Sequence, residues 1–223
     1  MCSFNFVKAV KYIEGYDFGE FFNYENADLF INYMYAISPE CQQQKWHCFY
    51  GATKMVIVFD DENFVIKIPF NSTEDYCYGE RTIVPFCGAP APSCWDYCEV
   101  EQLRYEDAKV HNFEKFVAKT TLVYITKNDI RIYTQPKCET CYNCEKKTCS
   151  KKNFEFFRKW YKGCLPIDNI NWLNCFIDNY GLKTLKAFCR FLEVNDWADD
   201  FSSDNLGFCN GLPVLIDYSS YWE

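Results

Sequence analysis

From Trp46 to Phe70 the chain alternates dense apolar runs with short polar breaks. His47 to Tyr50, Met55 to Phe59 and Phe64 to Phe70 are short and rich in β-branched and aromatic residues, so they read as strands. The breaks Gly51-Ala52-Thr53-Lys54 and Asp60-Asp61-Glu62-Asn63 read as turns, which makes the three strands an antiparallel meander. Upstream, Asn26 is placed to cap a helix running to about Ile37. Leu29, Phe30, Tyr33 and Met34 recur there at helical spacing, and Pro39 is the stop. A segment rich in Pro, Gly and Cys, from about Asn71 to Ser93, reads as a loop. It leads into a helix over Trp95 to Val110, with Val100, Leu103 and Ala108 on its apolar face. Thr121 to Ile125 and Ile130 to Thr134, joined by Asn128-Asp129, bring this half to five strands.

Beyond Pro136 the period becomes helical. Helices are predicted over Phe154 to Tyr161 with Gly163 beyond, from an Asp168 cap to Tyr180 with Gly181 beyond, and over Leu182 to Val194. Two short apolar runs, Leu206 to Phe208 and Val214 to Ile216, flank the turn Asn210-Gly211 and predict a small hairpin. The whole reads as α+β: a helical N-terminal extension over 1–45, a strand-rich half with one helix over 46–136, a cysteine-rich insert over 137–152, and a short, mainly helical remainder over 153–223.

An apolar content of 49%, with 20% aromatic, fits a packed protein of 223 residues rather than a disordered one. The net charge of -8 is spread without a basic block, which argues against nucleic acid as a partner. No run approaches the roughly 18 apolar residues of a membrane helix, and the first residues do not form a leader, so the expected location is the cytosol. Fifteen cysteines in a reducing compartment imply free or metal-bound thiols, and Cys48, Cys175 and Cys189 lie in apolar surroundings that suit small buried side chains. His47 and His111, at a strand position and a helix end, point to no chemistry.

The chemistry starts from Lys67, set in the apolar strand Val65-Ile66-Lys67-Ile68. An ammonium buried there needs an anionic partner, because burying it unpaired is costly. The helix offers Glu101, with Glu99 and Glu106 as alternatives. Further on, Asp200-Phe201-Ser202-Ser203-Asp204-Asn205 places an asparagine five positions after an aspartate, and the hairpin is followed by Leu215-Ile216-Asp217-Tyr218-Ser219. In that order, on those elements, over roughly residues 46 to 219, these pieces resemble a protein kinase. The Ile-Asp-Tyr form is closer to the small-molecule branch, which includes aminoglycoside and choline phosphotransferases. The resemblance implies a two-lobed fold and a nucleotide site binding ATP and magnesium. Lys67 would then contact the phosphates and Glu101 would pair with it; Asp200 would orient and deprotonate a hydroxyl, and Asn205 and Asp217 would hold magnesium.

The sequence also departs from that pattern. No Gly-x-Gly-x-x-Gly is present, so Gly51, the amides around it and Lys54 are what the turn offers to phosphates. Ala198-Asp199 stands where protein kinases carry His-Arg, and the chain ends at Glu223, soon after Asp217. The expected substrate grip therefore falls to the N-terminal helices and the cysteine-rich insert, or to a second copy in a homodimer, or no phosphoryl transfer occurs. Cys138, Cys141, Cys144 and Cys149 have the spacing of a tetrahedral thiolate zinc site, with reduced thiols, a redox pair or an iron-sulfur cluster as the other readings. Two functions follow. One is phosphoryl transfer from ATP to a protein or small-molecule hydroxyl. The other is a pseudokinase-type binding or inhibitor protein without turnover, for which some of the 17 tyrosines would serve as interface anchors.

Overall fold

The computed structural model describes residues 3–19, 22–51, 53–77, 80–85, 96–140, 169–195 and 205–219, with 72–77, 80–85 and 169–170 described by their backbone alone. The expected helix over Phe154 to Tyr161, the Asp168 cap, Ala52, Asp200, Cys141, Cys144 and Cys149 lie outside the described residues. The chain is α+β and forms two compact units, residues 1–103 with 120–137 and residues 104–119 with 138–223.

In the first unit, α1 (Phe4–Glu14) starts at Ser3, whose hydroxyl accepts from the Phe6 amide. Helix α2 (Tyr24–Ile37) starts at Asn23. The expected cap, Asn26, is instead the third helical residue and closes a reciprocal box: its side chain accepts from the Asn23 amide while Asn23 accepts from its own. A single turn, α3 (Pro39–Gln42), follows. The sheet comprises β1 (Trp46–Tyr50), β2 (Lys54–Phe59), β3 (Phe64–Pro69), β6 (Thr121–Ile125) and β7 (Arg131–Pro136) in the order β1-β2-β3-β7-β6, all antiparallel. The stretch read as a loop holds a separate two-stranded ladder, β4 (Ser72–Cys77) with β5 (Glu80–Pro85). Helix α4 (Tyr97–Val110) follows it.

Register explains why β2 and β3 read as nearly unbroken apolar runs. Met55, Ile57 and Phe59 stand opposite Ile68, Ile66 and, on β1, Trp46, and this face packs against Phe6, Ala9, Ile13, Phe30 and Met34 of α1 and α2. The other face carries Lys54, Val56 and Val58 with Val65 and Lys67, and Lys67 stands opposite Tyr133. A strand covered on both faces loses the apolar-polar alternation of a half-exposed one. Leu29 and Leu103, expected on apolar helix faces, are exposed, whereas Phe30, Met34 and Ala108 are buried.

The second unit contains the end of α4, a 3-10 turn (Glu114–Phe116), β8 (Glu139–Thr140), α5 (Asn169–Tyr180), α6 (Leu182–Val194) and the hairpin β9 (Leu206–Cys209) and β10 (Leu212–Leu215). Trp172, Phe176, Phe188 and Leu192 build its core with Phe116, Leu206 and Leu215. Cys48 and Cys189 are buried as expected, but Cys175 is half-exposed, its thiol near the Gly211 carbonyl. Gly207 permits the close approach of β8: a Cβ there would lie 2.8 Å from the Glu139 carbonyl oxygen. The buried Trp172 indole N–H donates to both the Gly207 and Val214 carbonyls at 3.1 Å and so ties α5 to the hairpin. Trp172→Phe keeps an aromatic side chain but removes that donor and part of the packed ring. It should lower stability to denaturant by about 1–3 kcal/mol, for a lost buried hydrogen bond and lost packing, in a chemical unfolding titration.

Candidate functional site

Glu101 is fully buried, and its carboxylate receives four contacts from three side chains. Lys67 Nζ lies 3.0 Å from Oε1 and 2.9 Å from Oε2, Lys54 Nζ lies 2.6 Å from Oε1, and the Thr120 hydroxyl donates to Oε2 at 2.6 Å. The Gln135 amide donates in turn to the Thr120 hydroxyl at 2.9 Å. All of these residues belong to the first unit. Both lysines are buried as well, so the ions meet where water screens them least.

Strand register delivers the two lysines. Lys67 on β3 stands opposite Val56, and Lys54 lies two positions from Val56 on the same face of β2. The helix delivers the carboxylate, and Asp96 fixes where that helix begins. Its Oδ1 accepts from the Cys98 and Glu99 amides at 2.9 and 3.0 Å, while its Oδ2 accepts from the Tyr133 hydroxyl at 2.7 Å. Arg131 Nη1 approaches the same oxygen at 3.4 Å and donates to Glu99 at 2.9 Å. Burial pushes the Asp96 carboxyl up, against the downward pull of the Tyr133 hydroxyl, the two amides and Arg131. Burial, and then the Asp96 charge, push the Tyr133 hydroxyl up. The thiol of Cys98 is also pushed up, chiefly by burial and next by Glu101.

This arrangement chooses among the three glutamates. Glu101 meets Lys67, whereas Glu99 pairs with Arg131, and Glu106 lies beside Lys109 at 3.6 Å on the surface. Lys54 differs from its expected place. It opens β2 rather than sitting in the turn, and its ammonium is held on Glu101. Gly51 is exposed at that turn, and its amide donates to the Lys54 carbonyl at 2.9 Å.

In the second unit, Asn205 and Asp217 come to the same end of the β9-β10 hairpin. Leu206 pairs with Leu215, and the Ile216 amide extends the ladder to the Asn205 carbonyl at 2.8 Å. The backbone around Asp217 is held from several sides. The Tyr218 hydroxyl donates to the Ala118 carbonyl at 2.7 Å, Arg104 donates to the Tyr218 carbonyl, and the Ser219 hydroxyl donates to Asp217 Oδ1 at 3.1 Å. An amide oxygen and a carboxylate are the hard donors that suit magnesium. Cys138 is half-buried beside β8, while the other three cysteines of the proposed zinc set lie outside the described residues. Among the described residues no three His, Cys, Asp or Glu side chains gather as a metal site, and no helix is long and apolar enough to cross a membrane.

The sequence reading missed Thr120, Gln135 and Asp96. Asp96 carries a visible signal, an aspartate at the start of a helical pattern. Thr120 and Gln135 carry none, since a threonine before a strand and a glutamine within one are ordinary.

Glu101→Gln preserves shape while leaving two buried ammonium groups without their carboxylate. It should lower stability by about 3–5 kcal/mol, read as a fall in the denaturation midpoint. No protein-family model matches this sequence, and neither a curated protein nor a solved structure matches it.

Proposed function

We propose that the chain is a two-lobed, protein-kinase-like protein of the cytosol that binds ATP with magnesium and passes a phosphoryl group to a hydroxyl of a protein or small molecule. The observation that carries this reading is the buried two-point contact of Lys67 with Glu101, from a central strand to a helix. A lysine so fixed presents positive charge at a set place, which suits a nucleotide phosphate. The placement of Asn205 and Asp217 at one hairpin end supports the metal roles given to them, and the division into two compact units is compatible with two lobes.

In this reading Lys67 binds phosphate, Glu101 holds Lys67, and Gly51 lets the turn backbone come close to the nucleotide. Asn205 and Asp217 hold magnesium, which when bound supplies positive charge against the phosphates. Asp200 orients the accepting hydroxyl and takes its proton. Large apolar side chains at the surface, Phe4, Tyr24 and Phe49 among them, favour a second reading, a pseudokinase-type binding protein without turnover.

Melting temperatures with and without ATP and magnesium test the nucleotide site. A ligand at about a hundred times its Kd stabilises the folded state by about 2.7 kcal/mol, which raises Tm by several degrees for a chain of this size. The expected result is a magnesium-dependent rise that Lys67→Met and Asp217→Ala each abolish. No rise at millimolar nucleotide would refute the phosphotransferase and leave the binding protein.

A further inference from the structure

Helix α6 buries Leu185, Phe188, Cys189, Phe191 and Leu192 and turns Lys183, Lys186, Ala187, Arg190 and Val194 outward. Those outward positions recur at helical spacing, so they form one continuous row along the helix. Lys183 and Arg190 are exposed and, among the described residues, neither stands in an ion pair. Two turns of helix separate them, about 10 Å along the axis. Their order also runs against the helix dipole. Lys183 is in the first turn, which holds no acid, and Glu193, the one acid of α6, stands near its C-terminal end. The row is therefore not arranged for the helix's own stability.

A third cation reaches the start of this row from another element of the second unit. Lys115 is exposed, has no ion pair among the described residues, and places its ammonium 5.0 Å from the ring centres of both Phe116 and Tyr180. Tyr180 closes α5, three positions before Lys183. The rings attract the ammonium to the corner between α5 and α6 and leave its charge unneutralised. A chain of net charge -8 thus carries around α6 exposed cations that no acid of the described residues offsets.

We infer that the outward row of α6, with Lys115 at its head, docks an acidic helical segment of a partner protein, its carboxylates about two turns apart on one face and its backbone passing over the small Ala187. Such docking is independent of the nucleotide site. Charge complementarity selects this occupant. Cations spaced along a helix meet spaced carboxylates one by one, and at physiological salt only charges within roughly 8 Å act on them, so the acidity of the rest of the chain is screened. A bilayer fits less well, because the largest apolar side chain on the row is Val194 and no aromatic residue stands there to enter the headgroup region. A nucleic acid also fits less well, since its affinity grows with the number of phosphates neutralised, and a few spaced cations neutralise few.

The test is fluorescence anisotropy with the full chain and a labelled synthetic helix carrying glutamates along one face. The comparison probes are the same helix with glutamines in their place, a helix with the same glutamates scattered around it, phosphatidylserine vesicles and a single-stranded oligonucleotide. The expected result is binding to the one-faced glutamate helix that weakens as salt rises and that Lys183→Glu with Arg190→Glu weakens about tenfold or more, with Tm unchanged. Lys183→Gln with Arg190→Gln is measured beside it in case charge reversal disturbs the fold, and Lys115→Gln should also weaken binding. A parent chain that does not bind the glutamate helix, or substituted chains that bind it as the parent does, would overturn the inference. Equal binding of the scattered-glutamate helix, or tighter binding to the vesicles or the oligonucleotide, would overturn it too, because the row would then be a general anionic-surface contact.

Discussion

The carboxylate of Glu101 is the point on which the first unit turns. A fully buried carboxylate is tolerable only when its oxygens are supplied with donors, and here they come from three separate strands or strand ends: Lys54 from β2, Lys67 from β3 and Thr120 from the residue before β6. Strand register, helix position and the connection into β6 must all be right for the ions to be satisfied. Gln135 on β7 extends the network through Thr120, so β7 joins it too. Such a cluster adds little net stability over an apolar replacement, but breaking it is expensive, which makes it a device for fixing geometry.

The sheet's two faces divide the work. Met55, Ile57, Phe59, Ile66 and Ile68 are buried against the N-terminal helices, and this packing is where the apolar stabilisation of the unit resides. The opposite face carries the charges. Placing the lysines on a strand pair whose other side is locked into a core leaves their backbones little freedom to move. Helix α4 is fixed as firmly, since Asp96 closes its first turn and is itself tied to Tyr133 and Arg131 on β7. Within the second unit, Ala108 belongs to the core, Tyr105 packs against it, and Arg104 donates to the Tyr218 carbonyl.

In that second unit the hairpin is anchored from beneath by Trp172 and at its open end by the contacts of Tyr218. Asn205 and Asp217, twelve positions apart in sequence, are thereby held at one end of a short ladder.

Much of this was legible along the chain. The five strands, α4, α5, α6 and the Asn210-Gly211 hairpin follow from periodicity and turn residues, and Lys67 announced its need for a partner by standing in an apolar strand. Other features depended on packing. Asn23 and Asn26 are chemically equivalent caps, and only the helix start distinguishes them. A single strand's pattern could not tell whether Lys54 belonged to the turn or the sheet, because the residue that decides it is Pro69, its partner on β3. The choice of Glu101 over Glu99 and Glu106 required knowing which side of α4 faces the sheet. Local sequence thus determined the elements, since propensity and hydrophobic period act over a few residues. The meeting of Lys54, Lys67, Glu101 and Thr120 was decided by the tertiary structure, because a buried charge is satisfied by whatever the folded chain brings within about 3 Å of it.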